Sequence, residues 1–373
     1  MFKTLLSLTL ILHSLQAQPS KVYFTRTISS DNIVEMFKRL NVTLKGRIGL
    51  KVHSGEKDGI YYLRPDFLQK IYDYTNGTFI ECNTAYENWR HNTSIHMKLA
   101  EEHGWYEKNR RFVIMDENPE DDIELDIKDG VKIKKNYVGK HIEDFESIIV
   151  LSHFKGHSWG GFGGALKQLS IGFGSQAGKT FIHTAGASKN WTEMKAKRAS
   201  QMDFTASMGD AASSVVRYFQ NKGGIVYISV LVNISKICDC GGGPIVPPPK
   251  IHNIGILASI DPVAIDRAAL DLVKETKDEG TEDWFDQVYD RKGLNTITVA
   301  EKHKIGTTKY VMIDVDGGNP FPEDPAVSIW QKIAMILALI ILLGILLFLI
   351  YSYFYPRKKR VGLIDRDKNG TEA

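Results

Sequence analysis

Seven apolar runs of strand length, separated by helical patterns, constrain this chain more than any other feature. They lie at 47–52, 79–81, 112–115, 147–151, 224–232, 254–260 and 310–315. Helical patterns stand between several of them, at 65–72, 94–103, 262–274 and 298–303. A strand that is apolar throughout must be covered on both faces, and alternating helices supply that cover. The predicted fold is therefore α/β: a mostly parallel sheet with helices on both faces, in one or two lobes. The stretch 123–138 alternates around Asp129 and Gly130 and reads as a β-hairpin appended to the sheet. The 262–274 helix has clear punctuation. Asp261 can cap it, Pro262 suits its first position, and Val263, Ile265, Leu270 and Val273 make its apolar face.

The two ends of the chain predict where it works. Residues 333–355 carry no charge over 23 positions, about 34 Å as a helix at roughly 1.5 Å per residue. Arg357, Lys358, Lys359 and Arg360 follow, and such a cluster holds its side of a membrane in the cytosol. At the front, Lys3, an apolar run at 5–12 and a Leu-Gln-Ala ending form a secretory signal pattern. The expected order is a signal peptide over 1–17, a lumenal or extracellular α/β domain over 18–316 and a stalk over 317–328. A transmembrane helix over 329–355 and a short basic cytoplasmic tail over 356–373 complete it. That is a single-pass type I protein whose membrane partner is lipid along one helix. Sequons at Asn41, Asn76, Asn92, Asn190 and Asn233 agree with a glycoprotein on a secretory route. The formal charge of +3 is near balance and gives no reason to expect nucleic acid.

The 3 cysteines are too few for a disulfide scaffold. Cys238 and Cys240 are too close to bridge each other comfortably, so one of them can pair with Cys82. Alternatively, the Cys-Asp-Cys turn offers two soft metal ligands.

Chemistry concentrates in 152–183, SHFKGHSWGGFGGALKQLSIGFGSQAGKTFIH, which holds three histidines, three lysines and eight glycines. Glycines let a backbone approach a ligand, while lysine and histidine supply donors, bases and metal ligands. His153, Lys155 and His157 follow an apolar run, at the strand end where α/β sheets bind ligands. In extended chain these alternate positions share one face, beside Gly160, Gly161, Gly163 and Gly164. The G-x-x-x-G-K-T at 174–180 is no phosphate-cradling loop, which needs four residues between its glycines.

These motifs, with CDC, PIVPPPKIHNIGILASIDPVAIDRAALDLV and ECNTAYENWRHNTSIHMKLAEEHG, closely resemble the domain of unknown function 362 family over roughly 48–315. Many members carry an inserted ferredoxin module. This chain has no cysteine from His183 to Lys222, so no iron–sulfur cluster is expected. A fainter resemblance is to nickel-pincer lactate racemases. His157 precedes Lys167 by 10 residues and His183 follows it by 16, with GGFGG in the corresponding place. That resemblance implies Lys167 as tether of a nickel-pincer nucleotide, His183 as a metal ligand and His157 as a base. The chain departs from it where Trp89 stands in place of the second histidine, with His91 and His96 nearby as substitutes. The phosphate-binding Asp-x-Thr-Arg-Pro motif is absent, and Lys51, His53 and Arg64 occupy its region.

The remaining candidates are plainer. His53, His103, His252 and His303 carry no informative spacing and suit surface or satisfied core positions. Asp261 reads as a cap and Arg267 with Asp271 as a helical pair, while Asp261 and Asp266 remain testable as acids. The favoured function is a metal- or cofactor-dependent enzyme on a small polar metabolite, centred on His153, Lys155, His157, Lys167 and His183. A racemase-like transfer of proton and hydride, through a nickel-pincer nucleotide or another divalent metal, is one form of it. The rivals are a binding ectodomain for an anionic ligand or metal, and a structural ectodomain without chemistry.

Overall fold

The computed structural model describes residues 19–118, 122–237, 248–318 and 325–354. The signal pattern, Cys238, Cys240 and the basic tail lie outside them. The chain divides into two compact units, Met1–Pro320 and Phe321–Ala373. The first is one unit rather than two lobes.

In chain order, β1 (Ser20–Thr25) leads to α1 (Ser30–Arg39), β2 (Ile48–Lys51), α2 (Pro65–Thr75), β3 (Thr78–Glu81), α3 (Thr93–Glu102) and β4 (Phe112–Ile114). Strands β5 (Ile123–Asp126) and β6 (Lys135–Val138) follow, then β7 (Ser147–His153), β8 (Lys155–His157) and β9 (Gly161–Gly163). One helical turn, α4 (Ala165–Lys167), runs into a π-type turn at Gln168–Gly172 and then α5 (Gln176–His183) and α6 (Gln201–Gln220). The unit closes with β10 (Gly224–Leu231), β11 (Gly255–Ser259), α7 (Pro262–Thr276), α8 (Thr281–Asp290), α9 (Gly293–Lys302) and β12 (Tyr310–Asp314).

Eight strands form the main sheet in the order β12-β1-β11-β10-β7-β2-β3-β4. Strands β10, β7, β2, β3 and β4 run parallel, and β12 is parallel to β1. Only β11 opposes its neighbours β1 and β10. All seven predicted strands lie in this sheet. On one face, Leu50, Ile149, Leu151, Val226 and Ile228 pack with Ile33, Met36, Leu68 and Ile71 of α1 and α2. On the other, α4, α6 and α7 lie against β10, with α7 also on β1 and β11. Several helices have a local reason to start where they do. Ser29 accepts the amide of Asn32 at α1, and Asp261 accepts those of Val263 and Ala264 at α7. The expected hairpin is present, but β5 and β6 form a separate two-stranded sheet rather than an extension of the main one.

The second unit contains α10 (Pro325–Phe354), 30 residues long. Its side chains from 336 to 349 are exposed and largely apolar. Among the described residues, no helix is long and apolar enough to cross a membrane.

Candidate functional site

Strands β3, β2 and β7 are neighbours that run in one direction, so their C-terminal ends open on one side of the sheet. A cavity of about 440 Å³ lies there. Chain following β2 and β3 contributes His53, Glu81, Cys82 and Arg90. Chain following β7 contributes His153, Lys155, His157, Gly163, Gly164, Lys167, Gln168, Lys179 and His183. All five residues at the centre of the sequence reading therefore face one space. The extended run after β7 achieves this as expected: Phe154 turns into an aromatic cluster with Phe162 and Trp284, while His153, Lys155 and His157 line the cavity.

The glycine turn makes the approach possible. Gly161 has φ +81, a left-handed backbone that disfavours side chains. At Gly164 a Cβ would collide with the Asp266 carboxylate. That carboxylate is buried and accepts the amides of Ala165 at 2.7 Å and Leu166 at 2.9 Å. Burial raises its pKa to about 7 against the lowering effect of those two bonds. Asp266 is thus a positioning group for the turn and not a lining acid. Asp261 accepts from Val263, Ala264, Thr307 and Ser20, as a cap that ties three segments together. Gly163 and Gly164 line the cavity, whereas Gly160 and Gly161 shape the turn behind it.

The lysines differ in what they touch. The Lys179 amine donates to Gly174 O at 2.5 Å. Fully buried Lys51 donates to Val52 O at 2.6 Å and to Gln168 Oε1 at 3.1 Å, and burial lowers its pKa to about 8. Lys167 makes no such bond. Among the described residues its amine has neither a hydrogen-bond acceptor nor an ion-pair partner. Burial, then the charges of Lys155, Arg90, Lys51 and Lys179, bring its pKa down to about 7.

The histidines can be told apart by their tautomers. His183 Nδ1 donates to Lys179 O at 2.7 Å, which leaves the Nε2 lone pair available. Its ring is held by Phe204, stacked at 4.6 Å, and by the edge of Trp159. Burial lowers its pKa to about 4, so it is neutral near pH 7. His157 has the opposite arrangement. Its Nδ1 accepts the amides of Gly160 at 2.9 Å and Trp159 at 3.2 Å, so the neutral ring carries its proton on Nε2. Burial and nearby Lys167 hold its pKa well below the usual value. His153 Nε2 donates to Val232 O at 2.7 Å.

The opposite wall is an ion network. Arg90 donates to Glu81 at 2.7 Å and to Glu56, and all three side chains are buried. Glu81 also accepts the Ser54 amide at 2.8 Å. Burial alone would raise its pKa, but Arg90, His96, His53 and Lys51 hold it well below the usual carboxylate range. His96, a suggested substitute for the missing second histidine, is fully buried between Ser54 and Asn83 and lines nothing. His91 bonds Gln176 and likewise stays outside the cavity. His53, in contrast, lines it, against the sequence expectation. His103 and His303 are satisfied by Ser54 O and Asp210, and His252 pairs Asp278 at the surface.

His53, Glu81, Arg90, Lys179 and Gln168 escaped notice as site residues. The available signal was a charged residue closing an apolar strand, as Lys51 and Glu81 do. The amides at the start of α5 are accepted by Ser175 Oγ and Asp116, so no phosphate cradle exists there. Cys82 is a buried free thiol bonded to Phe173 O, rather than half of a disulfide, and burial pushes its pKa up. Among the described residues no three His, Cys, Asp or Glu side chains gather where they could hold a metal ion.

The strand-end cavity lies in an α/β fold, and cations outnumber carboxylates in its lining. The chain belongs to the family described as Domain of unknown function (DUF362), which matches residues 48–271. No curated protein matches it. Among solved structures, the lactate racemase apoprotein from Thermoanaerobacterium thermosaccharolyticum is similar at TM-score 0.40 and 12% identity, over 68% of this chain and 57% of that one. A structural-genomics protein from Thermotoga maritima is similar at TM-score 0.34 and 12% identity, over 54% of this chain and 49% of that one. The chain thus spans about half the length of these proteins, and neither likeness is close enough to carry a functional argument.

For the pincer nucleotide that the resemblance to lactate racemases implies, the donor set fits in part. Lys167 offers a free amine and His183 a free lone pair. His157 does not fit as the base, because its Nδ1 lone pair is taken by two amides and its Nε2 is protonated.

Proposed function

We propose that this chain is a membrane-anchored enzyme of its family, acting on a small anionic metabolite held in the strand-end cavity. The observation that carries this reading is the Lys167 amine, which lies in the cavity lining with no partner among the described residues. Burying an unpaired amine costs stability, and a cost of that kind is retained where a ligand uses the group. The surroundings agree. Lys155, Lys179 and Arg90 supply positive charge, and Glu81, the lining carboxylate, is already committed to Arg90. His157 Nε2–H and the Gln168 amide are donors for a carboxylate or phosphate, while His183 Nε2 can accept and return a proton.

Anchoring is supported by the charge-free run 333–355, the basic cluster after it and the helical course of α10. A type I orientation also suits the sequons, of which Asn41, Asn76, Asn92 and Asn190 are exposed.

The test is thermal stability of the full-length chain in detergent, titrated with pyruvate, lactate and inorganic phosphate against the neutral analogue lactamide. Saturable stabilisation by an anion, absent for lactamide and lost in Lys167→Met, is expected. Equal effects of charged and neutral compounds, or none from any anion, would rule the reading out. A second reading, a binding ectodomain without turnover, is favoured by the full pairing of Glu81, which leaves no free carboxylate in the lining. An anion that binds and is recovered unchanged would select it.

A further inference from the structure

We propose that Lys167 is an imine-forming nucleophile and that the ligand of the cavity is a small 2-oxo acid, its carbonyl captured by the amine and its carboxylate by the surrounding donors. This rests on the reading of the cavity as a small-anion site and narrows it to one ligand class.

Three features of the lining support it. The Lys167 amine has no partner among the described residues, whereas Lys51 and Lys179 are tied to backbone carbonyls. Lysines become nucleophilic when desolvated beside other cations, and Lys155, Lys51, Lys179 and Arg90 all act on this one. Gln168 has a fixed polarity. Its Oε1 accepts from the Lys51 ammonium at 3.1 Å, so its NH2 is left as donor in the cavity lining. Lys51 is therefore a positioning residue that keeps Gln168 turned to receive an anion. Finally, His183 offers a lone pair and His157 an N–H in the same lining, one to take a proton and one to hold an oxygen.

The chemistry balances without an oxidant or reductant. The neutral amine attacks the carbonyl carbon; a C–N bond forms, and the C=O π pair moves to oxygen, which gains a proton. The amine nitrogen gives one of its protons to His183 Nε2. That proton then leaves with the carbinolamine oxygen as water, and the nitrogen pair closes the C=N bond of a protonated imine. Overall, amine, carbonyl and one proton from solvent give the protonated imine and water. An imine beside a carboxylate is an electron sink, so loss of carbon dioxide or of a proton from the adjacent carbon becomes accessible.

The experiment traps the imine in the full-length protein in detergent. Pyruvate is added, then sodium cyanoborohydride, and lysines are mapped by peptide mass spectrometry. The expected result is a reduced pyruvyl group on Lys167, saturable in pyruvate and forming faster as pH rises through about 7, where the amine loses its proton. Acetone, which lacks the carboxylate, should label this lysine at least tenfold more slowly. Lys167→Arg should abolish the label. His183→Gln should slow it while leaving pyruvate-induced thermal stabilisation intact, and Lys51→Met should weaken that stabilisation. Pyruvate that stabilises the protein while Lys167 stays unlabelled overturns the imine and leaves the anion site standing. Absence of both effects removes the anion site as well. Lys167 found already carrying another group in the isolated protein also overturns the proposal.

Discussion

The two walls of the cavity are built from the same residue types to opposite ends. Along the β2–β3 wall, every charge is answered: Glu56, Arg90 and Glu81 form a buried chain, with Ser54 and His96 completing the acceptors. Along the wall that follows β7, the groups are only half answered. Among the described residues, Lys167 has no partner, His183 uses one ring nitrogen, and Gln168 uses its oxygen but not its amide. A satisfied buried network holds shape, whereas one with unused donors and acceptors is able to bind a polar group. The comparison predicts that damage to the first wall costs stability, while damage to the second costs binding and can improve stability.

The largest effect should come from breaking the satisfied wall. Arg90→Met strands two buried carboxylates, and the loss should be about 3–5 kcal/mol in urea unfolding. A loss under about 1 kcal/mol would mean that the network is solvated and the contrast between the walls is false. Next comes the hinge of the other wall. Asp266→Ala frees the amides of Ala165 and Leu166, with an expected loss of about 2–4 kcal/mol together with ligand binding. Asp266→Asn, still able to accept, should restore part of both.

Lys167→Met should behave in the opposite sense. The amine has a pKa of about 7 when folded against 10.5 for an unperturbed lysine. Between those values the unfolded chain holds a proton that the folded chain has released, so this group makes stability rise with pH. Below pH 7 both states are protonated and the folded state bears the whole penalty. Removing the amine should therefore stabilise by about 1–2 kcal/mol near pH 6–7, with the gain fading toward pH 10.5. Melting curves of both proteins across that range would expose a flat or inverted difference, which would show that Lys167 is paired after all.

What could be read beforehand follows the same division. Strands that are apolar throughout, such as β7 and β10, declared themselves because nothing else explains their composition. Strand β1, reading SKVYFT, mixes polar and apolar residues, and no expectation covered it. Helix α6 went unnoticed although Phe204, Met208, Val215 and Phe219 recur along its buried side, because Ala, Ser, Gly and Thr fill most positions between them and buried Asp210, which accepts the amides of Val131, Lys132 and Ile133, interrupts the run. In the site, His153 to His183 were legible because they lie within one short segment. Glu81, Arg90 and His53 arrive from separate crossovers, and only the parallel order of β3, β2 and β7 brings them alongside. The tautomer of His157 depends on two amides placed by the glycine turn, a matter of geometry that residue spacing does not encode.

The smallest effect belongs to Trp89, where the racemase-like pattern would place a second imidazole. Its side chain is 55% exposed, lies near Lys57 at 5.3 Å and does not line the cavity. Trp89→His restores the motif on paper, yet it puts the ring outside the space that holds Lys167 and His183. Stability should change by no more than about 0.5 kcal/mol, and anion-induced stabilisation should be unchanged. A gain in ligand affinity or turnover would place Trp89 at the cavity mouth and make the first wall a participant. An unchanged protein would leave the working groups confined to the wall that follows β7, where residue spacing and unsatisfied donors agree.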